Sequence, residues 1–204
     1  MSATKQIIFY LDFVSPYAYL ASTQIEALAA KHGYSVLWRP FLIGATFKVT
    51  GRKAPIQHPL VGDYMKHDVQ RFARMLGQPL NFPFKFPILS VKPSRVFYYL
   101  EARDGDQINA KAFAAKVYQA YFVDQLNITN NEVLAALAAP FGLSVQDLEI
   151  AVSSVEMKDK FKAIVAEAID RKVFGAPMFI VEDEMFWGVD RMDHLDQWLA
   201  KGAW

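Results

Sequence analysis

Residues 7–39 confine this chain to a small set of folds. Ile7 to Val14 (IIFYLDFV) reads as a buried strand, and Ser15-Pro16-Tyr17-Ala18 opens a helix on which Leu20, Ala21, Ile25 and Leu28 recur at helical spacing. His32-Gly33 supplies a favourable last-turn side chain and a left-handed stop, and Ser35 to Arg39 is a second strand halted by Pro40. A strand, a helix and a strand in so short a span make a β-α-β unit with parallel strands. Parallel strands need helices on both faces, so the rest of the chain must supply cover.

The rest is mostly helical. From about Gly44 the residues Gly51, Pro55, Pro59 and Gly62 mark loops, before a helix that aligns Met65, Val69, Phe72 and Leu76 and ends at Gly77. Pro79 to Pro93, with Phe82, Phe84 and Phe86, reads as a loop because its prolines deny it a regular ladder. Helices are predicted from about Ser94, from about Asn109, over 130–139, from Ser144, where Ser-Val-Gln-Asp resembles a capping box, and over 155–172. Strand character returns at Met178–Val181 and Met185–Trp187, flanking Glu182-Asp183-Glu184 as an antiparallel hairpin. A last helix starts near Asp190, whose carboxylate can cap it with Asp193 three residues on.

Composition narrows the chemistry. The 204 residues, 53% hydrophobic, suffice for a full core in one domain, or in one domain with a large insertion. Twenty-two basic against twenty-one acidic residues give a net charge of +1, which argues against nucleic acid or a membrane surface as partner. Asp12 interrupts the first apolar run, no cleavage site follows, and no stretch approaches the ~20 apolar residues of a membrane span. The expectation is a cytoplasmic protein. There is no cysteine, so disulfides, thiolate metal sites and a protein-borne redox thiol are excluded, and no metal site is expected. Any sulfur chemistry must use a borrowed thiol.

The join at Ser15 has two readings. Serine at the N-cap with proline at N1 is a good way to begin any helix. A helix start also offers unpaired N–H groups and about half a positive charge, so its hydroxyl can hold an anion.

Without the helical middle section, the order of elements is that of thioredoxin. The segments Asp12-Phe13-Val14-Ser15-Pro16-Tyr17-Ala18-Tyr19-Leu20, Phe174-Gly175-Ala176-Pro177 and Trp187-Gly188-Val189-Asp190-Arg191-Met192 together resemble the 2-hydroxychromene-2-carboxylate isomerases, relatives of the kappa-class glutathione transferases. The resemblance runs nearly end to end. It implies an α/β, thioredoxin-like glutathione-binding domain (1–43 and 160–204) with a large all-helical insertion (44–159), glutathione as cofactor, and a homodimer.

The resemblance makes Ser15 the activator of the glutathione sulfur, with Pro16 and Tyr17 beside it. A thiol with a pKa near ~8.5 can be lowered by a helix start and a donated hydrogen bond. Pro177 resembles the cis-proline of thioredoxin-like proteins, leaving the Ala176 backbone to hold the cysteinyl part, against a plain trans proline at a strand start. Val189 and Asp190 match the pair that receives the γ-glutamyl end, and Arg191 is either a ligand contact or a surface charge. Lys48 matches a lysine near the substrate in the family and is suited to hold a carboxylate, against a solvated loop lysine. Arg52 stands where the family usually has asparagine, and can still grip a carboxylate. Phe82, Phe84 and Phe86 are walls for a flat aromatic substrate or ordinary core. The four histidines, His32, His58, His67 and His194, read as surface residues without motif context.

The implied activity is a glutathione-dependent interconversion of 2-hydroxychromene-2-carboxylate and trans-o-hydroxybenzylidenepyruvate, or of a close analogue. The alternatives are a kappa-like transferase or peroxide reductant on the same site, and a non-catalytic thioredoxin-like binding protein. A thiol-disulfide oxidoreductase is set aside, because the helix start lacks both cysteines of that chemistry.

Overall fold

The computed structural model describes residues 5–204. Strand β1 (Gln6–Leu11) lies at the centre of a four-stranded sheet of order β2-β1-β3-β4, parallel to β2 (Ser35–Pro40) and antiparallel to β3 (Met178–Val181), which pairs antiparallel with β4 (Glu184–Trp187). Ile7, Phe9, Tyr10 and Leu11 are fully buried, as expected of a strand covered on both faces. Phe9 sits between Trp38 and Phe179, each ring 5.1 Å away.

The first helical stretch is two helices, α1 (Pro16–Ser22) and α2 (Ile25–Lys31). The Ser22 and Thr23 hydroxyls donate to the Tyr19 and Leu20 carbonyls at 2.6 and 2.8 Å, competing with the helical ladder where α1 stops. The segment after Gly44 departs further from expectation. Helix α3 (Ile43–Thr50) occupies it, ending at Gly51 in the left-handed region (φ 69°). Glycines that look like loop punctuation are here an early helical residue and a helix stop.

Helices α4 (Gly62–Met75), α5 (Val91–Asp104), α6 (Ile108–Phe122), α7 (Asn131–Ala138), α8 (Val145–Ser153) and α9 (Val155–Asp170) run between β2 and β3. Helix α5 starts before Ser94 because a first turn tolerates Pro93, whose missing N–H has no intrahelical duty there. The Ser144 capping box is present on both sides. A short 3-10 turn, Val189–Arg191, precedes α10 (Met192–Lys201), so Arg191 rather than Asp190 is the N-cap, and the Asp190 carboxylate pairs with Arg191 at 2.8 Å. No single described helix is long and apolar enough to cross a membrane. The fold is thioredoxin-like with a large helical addition. We propose the division at 43/44 and 159/160 for the folded chain, with α3 crossing the first boundary by one residue, α9 crossing the second, and residues 1–4 outside the described part.

Candidate active site

Strands β1 and β3 are antiparallel neighbours, so the segment leaving β1 and the segment entering β3 emerge at the same end of the sheet. That topology brings Ser15 to Ala176. Ser15 is extended (φ −89°, ψ 113°), and its Oγ accepts the Ala18 N–H at 3.2 Å, capping α1, with Pro16 at N1. The same hydroxyl donates to the Ala176 carbonyl at 2.9 Å. The Ala176–Pro177 bond is cis, and among the described residues the Ala176 N–H has no hydrogen-bond partner within the protein. Gly175 is required for space, because a Cβ there would lie 2.2 Å from the Trp187 indole nitrogen.

These residues line a cavity of about 1340 Å³. That exceeds the ~300–1,000 Å³ of ordinary small-molecule sites and leaves room for two ligands side by side. Tyr17, Lys48, Arg52, Pro177, Val189 and Asp190 also face it. Lys48 lies in the last turn of α3 rather than on a loop, and among the described residues neither it nor Arg52 has a carboxylate within ion-pair distance. The Arg52 guanidinium stands 5.8 Å from the centre of the Phe174 ring, which packs edge-on against Trp187 at 5.0 Å. Lys53 also lines the cavity, likewise with no carboxylate within ion-pair distance among the described residues, whereas Arg191 is engaged by Asp190.

Several expected contacts are absent or engaged elsewhere. The Tyr17 hydroxyl donates to Asp68 Oδ2 at 2.8 Å, tying α1 to α4. Burial and the neighbouring Asp68 carboxylate push its pKa up, so the phenol stays protonated, and both residues line the cavity. Phe84 is 91% exposed and Phe82 packs behind Phe86 with ring centres 4.9 Å apart, so neither reaches the cavity and only Phe86 of the three lines it. The loop is held by its backbone: Tyr121 donates to the Lys85 carbonyl and Gln125 to that of Phe82. Of the histidines, His58 and His67 are exposed, while His32 is mostly covered and its Nε2 lies 2.6 Å from Asp196 Oδ1. His194 is exposed at the cavity rim.

Two lining residues escape a reading of local sequence. Phe174 looks like a spacer before Gly175, yet it forms the wall beneath Arg52. Asp12 lies in the cavity floor, 1% exposed, and its signal was a carboxylate inside an otherwise apolar strand.

Comparisons with known proteins give the family and the fold. A family described as the DSBA-like thioredoxin domain matches residues 6–200. A 2-hydroxychromene-2-carboxylate isomerase of Sphingobium xenophagum is 32% identical over 198 residues, covering 96% of this chain and 98% of that protein. The glutathione S-transferase kappa 2 of Caenorhabditis elegans is 23% identical over 98% of this chain and 94% of its own. A solved 2-hydroxychromene-2-carboxylate isomerase superposes with a TM-score of 0.86 at 28% identity, covering 96% of this chain and 95% of the other. The chain therefore belongs to the DSBA-like thioredoxin domain family, in the branch that holds the 2-hydroxychromene-2-carboxylate isomerases.

Proposed function

We propose that this protein is a glutathione-dependent isomerase that interconverts 2-hydroxychromene-2-carboxylate and trans-o-hydroxybenzylidenepyruvate, or a close analogue. The observation that carries the reading is the Ser15 hydroxyl, set at the head of α1 against Ala176 in a large cavity, in a chain without any thiol of its own. Related isomerases support the reaction class.

The residues present fit glutathione. The unpartnered Ala176 N–H can pair with an extended peptide as an added strand would. Val189 opens a 3-10 turn, so its N–H is an orphan donor, and the Asp190 carboxylate beside it can take an ammonium group. When bound, glutathione supplies a thiol whose ionised form can add to, and later leave, a conjugated carbonyl compound.

The chain's own groups direct that chemistry. With glutathione bound, the Ser15 hydroxyl would be free to donate to its sulfur in place of the Ala176 carbonyl, while the Ala18 N–H keeps the oxygen in place. The head of α1 adds its positive end. Lys48 and Arg52 hold the substrate carboxylate, with Phe174 and Phe86 as aromatic walls. Orientation and charge stabilisation are the protein's whole contribution.

Calorimetry with glutathione, followed by an ultraviolet assay on the chromene, tests this. Binding and isomerisation are expected. Binding with sulfur left on the product would favour the transferase reading that the kappa-class relative suggests. Absence of binding would sink both and leave a non-catalytic binding protein.

A further inference from the structure

The carboxylate in the cavity floor has no part in the chemistry above. Asp12 has no cationic side chain within ion-pair distance among the described residues. Its Oδ1 accepts the Val14 N–H at 3.1 Å and the Ser90 hydroxyl at 2.5 Å, and its Oδ2 accepts the Ile43 N–H at 2.8 Å. Its backbone carbonyl takes the Ser15 N–H at 2.9 Å and the Tyr118 hydroxyl at 3.2 Å.

The three groups that donate to the Asp12 side chain, two backbone N–H groups and one hydroxyl, sit on three pieces of cavity wall. Val14 belongs to the turn that presents Ser15. Ile43 is the first residue of α3, the helix that presents Lys48. Ser90 immediately precedes α5, next to the Phe86-bearing loop.

Burial pushes the Asp12 carboxyl up in pKa, and the three donors offset that only in part, so retaining a lone carboxylate here costs stability. Filling space does not require it. Taking three donors from three directions does, because a carboxylate accepts through two oxygens whereas asparagine replaces one of them with a donor.

We propose that Asp12 is a positioning residue, tying the turn that offers Ser15 to the helix that offers Lys48 so that sulfur and substrate carboxylate are held in register. This rests on the isomerase reading above. Asp12 acts through Ser15 and Lys48, and a misplacement of ~1 Å between such groups is enough to cost ~100-fold in rate.

Two measurements on Asp12→Asn test it. The first is amide hydrogen exchange of the protein without ligand: Ile43 and Val14, whose N–H groups the carboxylate accepts, should exchange at least ~10-fold faster, while amides in α7 and α8 keep parent rates. The second is kinetic. Turnover at saturation should fall ~100-fold with little change in glutathione KM, and the loss should shrink to a few-fold in a Ser15→Ala background, since the group being positioned is gone.

Parent-like exchange at Ile43, or a full additional loss in the Ser15→Ala background, would overturn the proposal. If Asp12→Asn does not fold, Ser90→Ala decides in the same two measurements, with smaller changes expected and parent-like values overturning the tie. A parent protein that neither binds glutathione nor isomerises defeats the isomerase reading by itself, and the exchange data still decide whether Asp12 joins the two walls.

Discussion

Replacing Ser15 with alanine removes two hydrogen bonds at one atom, and their separate consequences can be calculated. Loss of the bond from the Ala18 N–H removes the N-cap of α1, worth ~1 kcal/mol. Loss of the bond to the Ala176 carbonyl leaves a nearly buried acceptor without its donor, ~1 kcal/mol more. For a protein of this size ~2 kcal/mol lowers the melting temperature by ~4–8 °C. Turnover should fall much further, by ~100–1000-fold, because the hydroxyl is the donor that meets developing charge on sulfur. Ser144→Ala is the matched control. It removes the N-cap and half of the capping box of α8, whose residues do not line the cavity. It should cost a similar few degrees by circular dichroism while leaving isomerisation at the parent rate. Both variants are assayed well below their own melting temperatures, so stability and chemistry separate. Parent-like turnover in Ser15→Ala would falsify the sulfur role, and a parent-like melting temperature would show that the two bonds do not hold α1 to the strand entering β3.

Lys48→Met combined with Arg52→Gln should raise the KM for the carboxylate substrate ~10-fold or more and make it insensitive to ionic strength between ~0.01 and ~0.1 M, where the parent's KM should rise; equal salt slopes would exclude these two cations as the carboxylate grip. Gly175→Ala must displace the Trp187 indole that an added Cβ would strike, so a shift in tryptophan emission and weaker glutathione binding by calorimetry are expected; unchanged values for both would mean that the indole is not packed on Gly175. The Asp196 carboxylate is held below the usual range by hydrogen bonds from Lys31 and then His32. With a lowered folded value, it contributes stability above its unfolded pKa of ~3.9, lost as pH falls through the folded one. Asp196→Asn should therefore cost ~0.5 kcal/mol at neutral pH, the size of a largely exposed pair, in denaturant melts, and the difference should close in acid; a pH-independent difference would contradict the assignment.

Much of the fold was legible because it rests on periodicity and local caps. The parallel β1–β2 pair, the β3–β4 hairpin and the Ser144 box are each set by residues close in sequence. What was not legible depends on distant partners. Helix α3 begins where the Ile43 N–H finds a carboxylate from residue 12, so its own glycines suggested a loop. Asp190 has the right residue type to cap α10, but a 3-10 turn intervenes and Arg191 takes its charge. The aromatic loop shows the same limit: its prolines mark it as irregular but do not say which ring turns inward, and Phe86 does while Phe84 stays in solvent. Of the candidate site, Ser15 and Ala176-Pro177 were visible as motifs, and only the antiparallel β1–β3 pairing explains why they meet.

That pairing also sets an order of events on the ribosome. β1 emerges early and finds β2 at once, but its other edge waits until the entire helical block has been synthesised and β3 arrives. During that interval a largely apolar strand has one open flank, a template for pairing with another nascent chain. Yield at high expression rates should therefore depend on how quickly the helical block folds and brings β3 to that flank.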